Sequence, residues 1–187
     1  LGGNFTLFNG GVANRIVRLF PDGPVDPSLS TGSGFNATVR ALAQQVDGRL
    51  LVGGEFTTYN GVARNYLVRL LSTGALDPSY IDPLEYSGPD AAVRDIAVGT
   101  GGSAFVTGDF NTFNGASRTG VKLDWFGALD PAFNVNFHGT GLHYHVPTNA
   151  LWSWDDTGIL KQNGATGAVL ASNSTHLANG GRLSQCS

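Results

Sequence analysis

The chain has 187 residues, 41% of them hydrophobic and 13% charged, which is enough apolar material for one sizeable core and too little charge for a disordered chain. A net charge of -3 without a basic stripe argues against nucleic acid as a partner, and no run approaches the ~18 consecutive apolar residues of a helical membrane span. The 27 glycines, 8 prolines and 10% aromatic residues, with Val, Ile and Thr in short runs, favour strands and tight turns over helices.

The chain opens on Leu1-Gly2-Gly3 and contains no Met, so it is expected to be a processed chain or a window of a longer one. Its first recognisable stretch runs from Leu1 through Asn4-Phe5-Thr6 to Phe8-Asn9-Gly10 and closes at Asp26-Pro27. The stretch returns 51 residues later as Gly53-Gly54-Glu55-Phe56-Thr57-Thr58-Tyr59-Asn60-Gly61, closing at Asp77-Pro78. A third copy, Thr107-Gly108-Asp109-Phe110-Asn111-Thr112-Phe113-Asn114-Gly115, closes at Asp130-Pro131, with Phe110 54 residues beyond Phe56 and the Asp-Pro pairs 53 apart. Near-identity with a small loop indel marks stacked or radially arranged supersecondary units.

Between the copies lies a second pattern. Val39 to Val46, then Asp47-Gly48, then Arg49 to Val52 reads as strand, two-residue turn, strand, because Asp-Gly tolerates the positive φ of a tight hairpin. Its counterpart is Val93 to Val98, a turn at Gly99 to Gly102, and Ala104 to Val106. Each unit therefore has an inner hairpin, a Phe-x-x-aromatic-Asn-Gly loop, a third strand such as Tyr66 to Leu71, a Gly turn and a short last strand ending at Asp-Pro. Four strands in about 50 residues make one blade of a β-propeller. The predicted fold is all-β, a β-propeller-like array of four-stranded blades, about three and a half of them, with units at 1–38, 39–92, 93–141 and 142–175 and the start of another at 176–187.

Beyond Asp130-Pro131 the pattern weakens. Leu142 to Val146 and Ala150 to Trp154 are read as the next inner hairpin, with Ile159 to Gln162 and Ala168 to Ala171 as outer strands, while Asp155-Asp156-Thr157-Gly158 replaces the aromatic loop. An open array leaves strand edges unpaired at both ends, and propellers close with 4 to 8 blades. Further blades of a larger protein, other copies of the chain, or pairing of the two ends into one composite blade would each complete it, the first being favoured.

The run from Asp47 to Asn65, with Gly74-Ala75-Leu76-Asp77-Pro78-Ser79-Tyr80, resembles the delta-60 repeat family, β-propeller modules of large, chiefly bacterial, secreted or cell-surface proteins. The likeness covers residues 1 to about 135 and weakens from Phe137 onward. It implies an extracellular or cell-surface location and no general activity, and it carries over no catalytic residues.

Candidate sites are weighed on their chemistry. Asn9-Gly10, Asn60-Gly61 and Asn114-Gly115 are expected to set turns, and Asp26, Asp77 and Asp130 to cap turns before proline rather than bind calcium, which needs 6 to 8 oxygens from a compact loop. Arg18, Arg69 and Lys122 recur two positions into an apolar strand, where a salt bridge or a snorkelling side chain is expected. His143 and His145 would share a strand face, with His138, Asp155 and Asp156 near, and are weak metal candidates. Trp152 and Trp154 also share a face and, with Tyr59, Phe8 and Phe113, are candidates for stacking sugar rings, the alternative being core between blades. Three sequons, at Asn4, Asn36 and Asn173, are candidate glycosylation sites. The lone Cys186 cannot form an internal disulfide. No Gly-x-Ser-x-Gly elbow occurs, and the carboxylates Asp155-Asp156 and Asp82 with Glu85 have no recurring partners, so no catalytic residue or cofactor is assigned. The expected function is a non-catalytic extracellular structural or adhesive module, with a glycan-binding propeller and a propeller hydrolase or lyase as alternatives.

Overall fold

The structure is a computed structural model and describes residues 1–80, 88–133 and 139–173. The described residues form small antiparallel sheets joined by turns, with two short 3-10 turns at Thr100–Gly102 and Val146–Thr148 and no α-helix.

In the first unit, β1 (Leu7–Phe8) and β2 (Gly11–Val12) form a hairpin around Asn9-Gly10, while single bridges join Gly2 to Ile16 and Leu19 to Val25. The second unit has β3 (Val39–Gln44), β4 (Leu50–Gly54), a small hairpin of β5 (Thr58–Tyr59) and β6 (Val62–Ala63), and β7 (Leu67–Leu70), arranged as a β3-β4-β7 sheet. The third repeats it with β8 (Val93–Val98), β9 (Ala104–Gly108), β10 (Thr112–Phe113), β11 (Ala116–Ser117) and β12 (Gly120–Leu123). The fourth is one continuous sheet of β13 (Gly141–His145), β14 (Ala150–Asp155), β15 (Gly158–Asn163) and β16 (Val169–Asn173), in that order.

Two local expectations are corrected. The second and third units have three-stranded ladders, and the fourth strand is reduced to the bridges Leu70↔Leu76 and Leu123↔Leu129. The reason is the Asp-Pro stop directly after each bridging leucine, since proline has no N–H to extend a ladder. The fourth unit has no such stop, and β16 runs for five residues. The turn between β3 and β4 is also longer than Asp47-Gly48. Gln45 N donates to Arg49 O at 2.9 Å and Gly48 N to Gln45 O at 3.0 Å, and of the pair only Gly48 has positive φ, at 87°. The Asn-Gly turns do place both residues there, for example Asn60 at 48° and Gly61 at 77°, as a two-residue hairpin loop requires.

Because strand side chains alternate, each sheet has one face toward the preceding unit and one toward the following unit. Backward faces carry Val52, Val68 and Leu70 in the second unit, packed with Ile16, and Ile96, Val106, Val121 and Leu123 in the third, packed with Leu51 and Leu67. Leu142, Tyr144 and Leu151 of the fourth unit meet Phe105 and Phe133 of the third. Three apolar junctions in series thus replace a single central core. The Phe-x-x-aromatic loops plug into them, with Phe56 and Tyr59 centroids 4.4 and 4.5 Å from that of Phe35.

The register slips by one residue between Val39 and Ala41, and again between Val93 and Asp95. Opposite each slip stands a glycine where the neighbouring strand comes too near for a side chain. A Cβ on Gly54 would lie 2.1 Å from Thr38 O, and one on Gly108 2.1 Å from Ala92 O. Both contacts are with backbone, so they cannot be relieved by a rotamer change. Gly54→Ala and Gly108→Ala should each lower stability by about 2 kcal/mol or more, read as a fall in the urea midpoint. Gly61→Ala has open space but a positive φ, and should cost only about 1 kcal/mol.

Candidate functional site

The repeated cations and the repeated Asp residues prove to be partners. Arg18 Nε lies 2.7 Å from Asp26 Oδ2, Arg69 Nε 2.8 Å from Asp77 Oδ2, and Lys122 Nζ 2.8 Å from Asp130 Oδ2. Each Asp also caps its own turn, since Oδ1 accepts from Ser28 N, Ser79 N and Ala132 N, at 2.9 Å in all three. One carboxylate therefore does both jobs that sequence reasoning had divided between a turn cap and a separate salt bridge.

The arginines also reach out of their own unit. Arg18 Nη1 donates to Ser72 O at 2.7 Å, and Arg69 Nη1 donates to Trp125 O at the corresponding turn of the next unit. Arg69 is fully buried, donates further to Gln45 Oε1 at 3.3 Å and Ser79 Oγ at 3.2 Å, and stacks on the Tyr80 and Trp125 rings at 4.3 and 5.2 Å. Arg49 Nε stands 2.8 Å from the same Asp77 oxygen, an ionic contact without hydrogen-bond geometry. Trp125 lies flat over Gly102, where a Cβ would come within 2.0 Å of the ring, and Gly102 O accepts from Gln45 Nε2 at 2.6 Å. Lys122 cannot fork as arginine does, and its ammonium sits 5.8 and 5.9 Å from the Phe105 and Phe133 centroids.

The fourth unit keeps this arrangement in a disguised form. Leu51 pairs with Arg69 across β4 and β7, Phe105 with Lys122 across β9 and β12, and Trp152 with Lys161 across β14 and β15. Lys161 Nζ lies 4.8 Å from the Trp152 ring centroid. Trp152 and Trp154 accordingly occupy the face that a following unit covers elsewhere. Leu51 and Phe105 are 0% and 1% exposed there, whereas Trp152 is half-buried and Trp154 is 41% exposed.

Tyr59, expected as a third member of a sugar platform, is 1% exposed and donates its hydroxyl to Gly74 O at 2.5 Å; burial pushes its phenol up to about 12. It is a core residue, as is Phe113, and Phe8 is half-buried in β1 of the first unit. His143 and His145 are exposed on the same face as the tryptophans, and His145 Nδ1 is 2.7 Å from Thr148 Oγ1. Asp155 Oδ1 is occupied by the turn it caps, accepting from Thr157 N at 2.7 Å and Gly158 N at 3.2 Å. Among the described residues no three His, Cys, Asp or Glu side chains gather as a metal set. His138, Asp82, Glu85 and Cys186 lie outside the described residues.

The sequons divide by structure. Asn36 is exposed, but its Oδ1 accepts from Thr57 N at 2.9 Å and Thr58 N at 3.0 Å, a position that Asp90 fills in the next unit by accepting from Asn111 N and Thr112 N. Asn4 is exposed and accepts from Thr38 Oγ1 at 3.3 Å, while Asn173 ends β16. The Asn of each Asn-Gly pair also proves to be more than a turn former. Asn60 Oδ1 accepts from Ser33 N at 3.0 Å and Asn114 Oδ1 from Gly88 N at 2.8 Å, pinning the incoming strand to its own loop.

Comparison with known proteins agrees with this geometry. Residues 1–29 and 45–80 match the family described as "Domain of unknown function (DUF5122) beta-propeller". The chain is an arc of β-propeller blades. It is also similar in structure to a computationally designed protein, Ika8, with a TM-score of 0.54 and 16% identity over 83% of this chain. The matched arc spans 42% of that designed chain, less than half its length. A search of curated proteins finds no match.

The three blade clamps make stability sensitive to acid. Hydrogen bonds from Ser28 and the Arg18 charge hold Asp26 below the ordinary carboxylate range. Burial alone would raise Asp77 and Asp130, but Ser79 and Arg69 outweigh it for the first, and Lys122 and the Ala132 amide for the second, so both are lowered. A lowered folded pKa stabilises fully above the unfolded value of about 4 and is lost as pH falls through the folded values. The urea midpoint should therefore hold from pH 7 to 5 and drop steeply below about pH 4. Asp77→Asn, which leaves Arg69 buried without its anion, should cost about 3–5 kcal/mol at pH 7 and weaken that acid dependence, whereas Asp26→Asn at the exposed end should cost clearly less.

Proposed function

We propose that the chain is a non-catalytic structural or adhesive β-propeller module of a cell-surface or matrix assembly, of the delta-60 repeat kind. The observation that carries this reading is that the recurring polar residues are engaged in holding blades together. Arg18, Arg69 and Lys122 are bound to Asp26, Asp77 and Asp130, and Asn60 and Asn114 to neighbouring amides. A hydrolase or lyase would instead need polar groups that differ from blade to blade, gathered at one mouth of the array. The histidines specific to the fourth blade stand on a sheet face beside tryptophans, in the place where the next blade packs elsewhere.

A second reading, glycan binding, is favoured by one observation, the shared and accessible face of Trp152 and Trp154. The paired indoles have the apolar breadth to stack a pyranose ring. The structural reading predicts no selective signal on a glycan array. Selective binding that disappears in Trp152→Ala, with the fold retained by circular dichroism, would transfer the function to the lectin reading. For location, treatment of intact producing cells with protease should remove the chain, and Asn4→Gln should abolish any glycan-dependent mass shift at that sequon. Full protection of the chain inside intact cells would refute the surface assignment.

A further inference from the structure

Three described peptide bonds, Asp26-Pro27, Asp77-Pro78 and Asp130-Pro131, belong to one fragile class. An aspartyl carboxyl reaches its own main-chain carbonyl carbon by closing a five-membered ring, and the tertiary amide nitrogen of proline leaves once it is protonated. In every clamp the Asp Oδ1 accepts from the amide two residues on, and the ring closed by that hydrogen bond contains the Asp-Pro bond itself. The carboxyl is thereby folded forward, toward the bond. The carbonyl oxygen of that bond accepts from the amide three residues on, at 3.4 Å for Asp26, 3.3 Å for Asp77 and 3.2 Å for Asp130. Such a donor stands where negative charge develops during attack.

The three bonds differ in how firmly the carboxyl is held. Asp26 Oδ1 also accepts from Ser28 Oγ at 2.6 Å and Asp77 Oδ1 from Ser79 Oγ at 2.7 Å, and the arginine of each clamp binds that same hydroxyl. In the third blade Ala132 stands in the place of the serine and offers no hydroxyl, and the cation is Lys122, without a fork to bind a second group. The Asp130 side chain is 22% exposed, against 12% for Asp26 and 2% for Asp77. Asp130 and Pro131 also line a cavity of about 250 Å³ with Arg118 and Phe133, which gives water a way to the bond.

We propose that Asp130-Pro131 is a self-cleavage site, at which the protein cuts its own chain between the third and fourth blades. The protonated Asp130 carboxyl attacks its own main-chain carbonyl carbon. The new C–O bond closes a five-membered anhydride, the C–N bond to Pro131 breaks, and the carboxyl proton passes to the proline nitrogen. One water then opens the anhydride, leaving a C-terminal Asp130 and an N-terminal Pro131. The sum is hydrolysis of one peptide bond by one water. To reach the carbonyl carbon the carboxyl must leave its cation and its cap, so the least restrained of the three clamps is cut first. The charged groups about Asp130 are Lys122, on β12, and Arg118, between β11 and β12. Against the burial that would raise it, Lys122 and the Ala132 amide favour the ionised carboxyl. The bond is therefore safe near neutrality, and the rate grows about tenfold for each pH unit toward the folded pKa.

The test is mass spectrometry of the 187-residue chain during incubation at about pH 5, above the range in which the clamps fail. Asp82-Pro83 is a fourth bond of the class and lies outside the described residues, so a Pro83→Ala background removes it from the comparison. The expected fragments are residues 1–130 and 131–187. Cutting at Asp26-Pro27 should be slower by about tenfold, the worth of one hydrogen bond to a charged group, and at Asp77-Pro78 slower still. In urea at the same pH the clamps are gone and the three bonds should break at similar rates. Ala132→Ser restores the missing hydroxyl and should slow the cut about tenfold in the folded chain and not in urea. Pro131→Ala keeps the carboxyl and its cation and should abolish the cut. Three bonds that break equally in the folded chain, no fragment ending at Asp130, or an Ala132→Ser rate equal to the parent's would each overturn the proposal. Circular dichroism checks that the variants fold. A single cut in its own chain leaves the non-catalytic reading untouched either way, since that is decided by the glycan array and by surface proteolysis.

Discussion

A guanidinium buried between two blades is the interaction on which the middle of this molecule depends. Arg69 is fully buried, and a charge in that position is tolerable only when every direction is met by an acceptor or a π-face. Asp77, Gln45, Ser79, the Trp125 carbonyl and the rings of Tyr80 and Trp125 supply that set. The consequence is positional. The turn after β3, the Asp-Pro turn of the same blade and the corresponding turn of the next must all be correctly placed at once, or the charge is stranded. Apolar contacts alone give the junctions affinity for one another; this charge gives them a single alignment.

The same site varies along the array in a graded way. Arg18 makes the Asp contact and crosses to Ser72 in a partly solvated setting. Lys122 keeps the Asp contact but loses the fork and relies on Phe105 and Phe133. Lys161 keeps the aromatic partner, Trp152, in a blade without the Asp-Pro turn. The repeat thus exchanges hydrogen bonds for aromatic stacking while holding the position of the positive charge, a substitution that Arg and Lys permit because both carry long apolar stems.

Much of the fold was legible because it depends on local signals. Repeated glycines, alternating apolar residues and Asp-Pro stops locate strands and their ends, and the fourth sheet falls close to where its weak pattern was read. What stayed hidden depends on registration between strands. Arg69 and Asp77 recur together, yet nothing in their spacing says that the strand and the turn after it bring them face to face; repetition of both at matching offsets was the available signal. Tyr59 resembled a loop aromatic and is core, because its loop folds inward beneath Phe35 and Gly74. Trp152 could be read from sequence as a sugar platform or as core between blades, and only pairing with Lys161 reveals it as the counterpart of Leu51 and Phe105. The missing Phe-x-x-aromatic-Asn-Gly loop removed the landmark against which that alignment would have been made.

Trp125 makes the three junctions mechanically unequal. Where the second blade has Ser72, the third has an indole that covers Gly102 and offers both its ring and its carbonyl to Arg69. Blades that touch only their neighbours share load in series, so tension applied along the array falls equally on every junction and the weakest parts first. The outer junctions carry cross-blade hydrogen bonds of their own, from Arg18 to Ser72 O at one end and from Leu142 N to Asp95 and Thr107 to Gly139 O at the other, but not a fully buried guanidinium. Parting the central pair would strand a buried charge, which parting either outer pair would not.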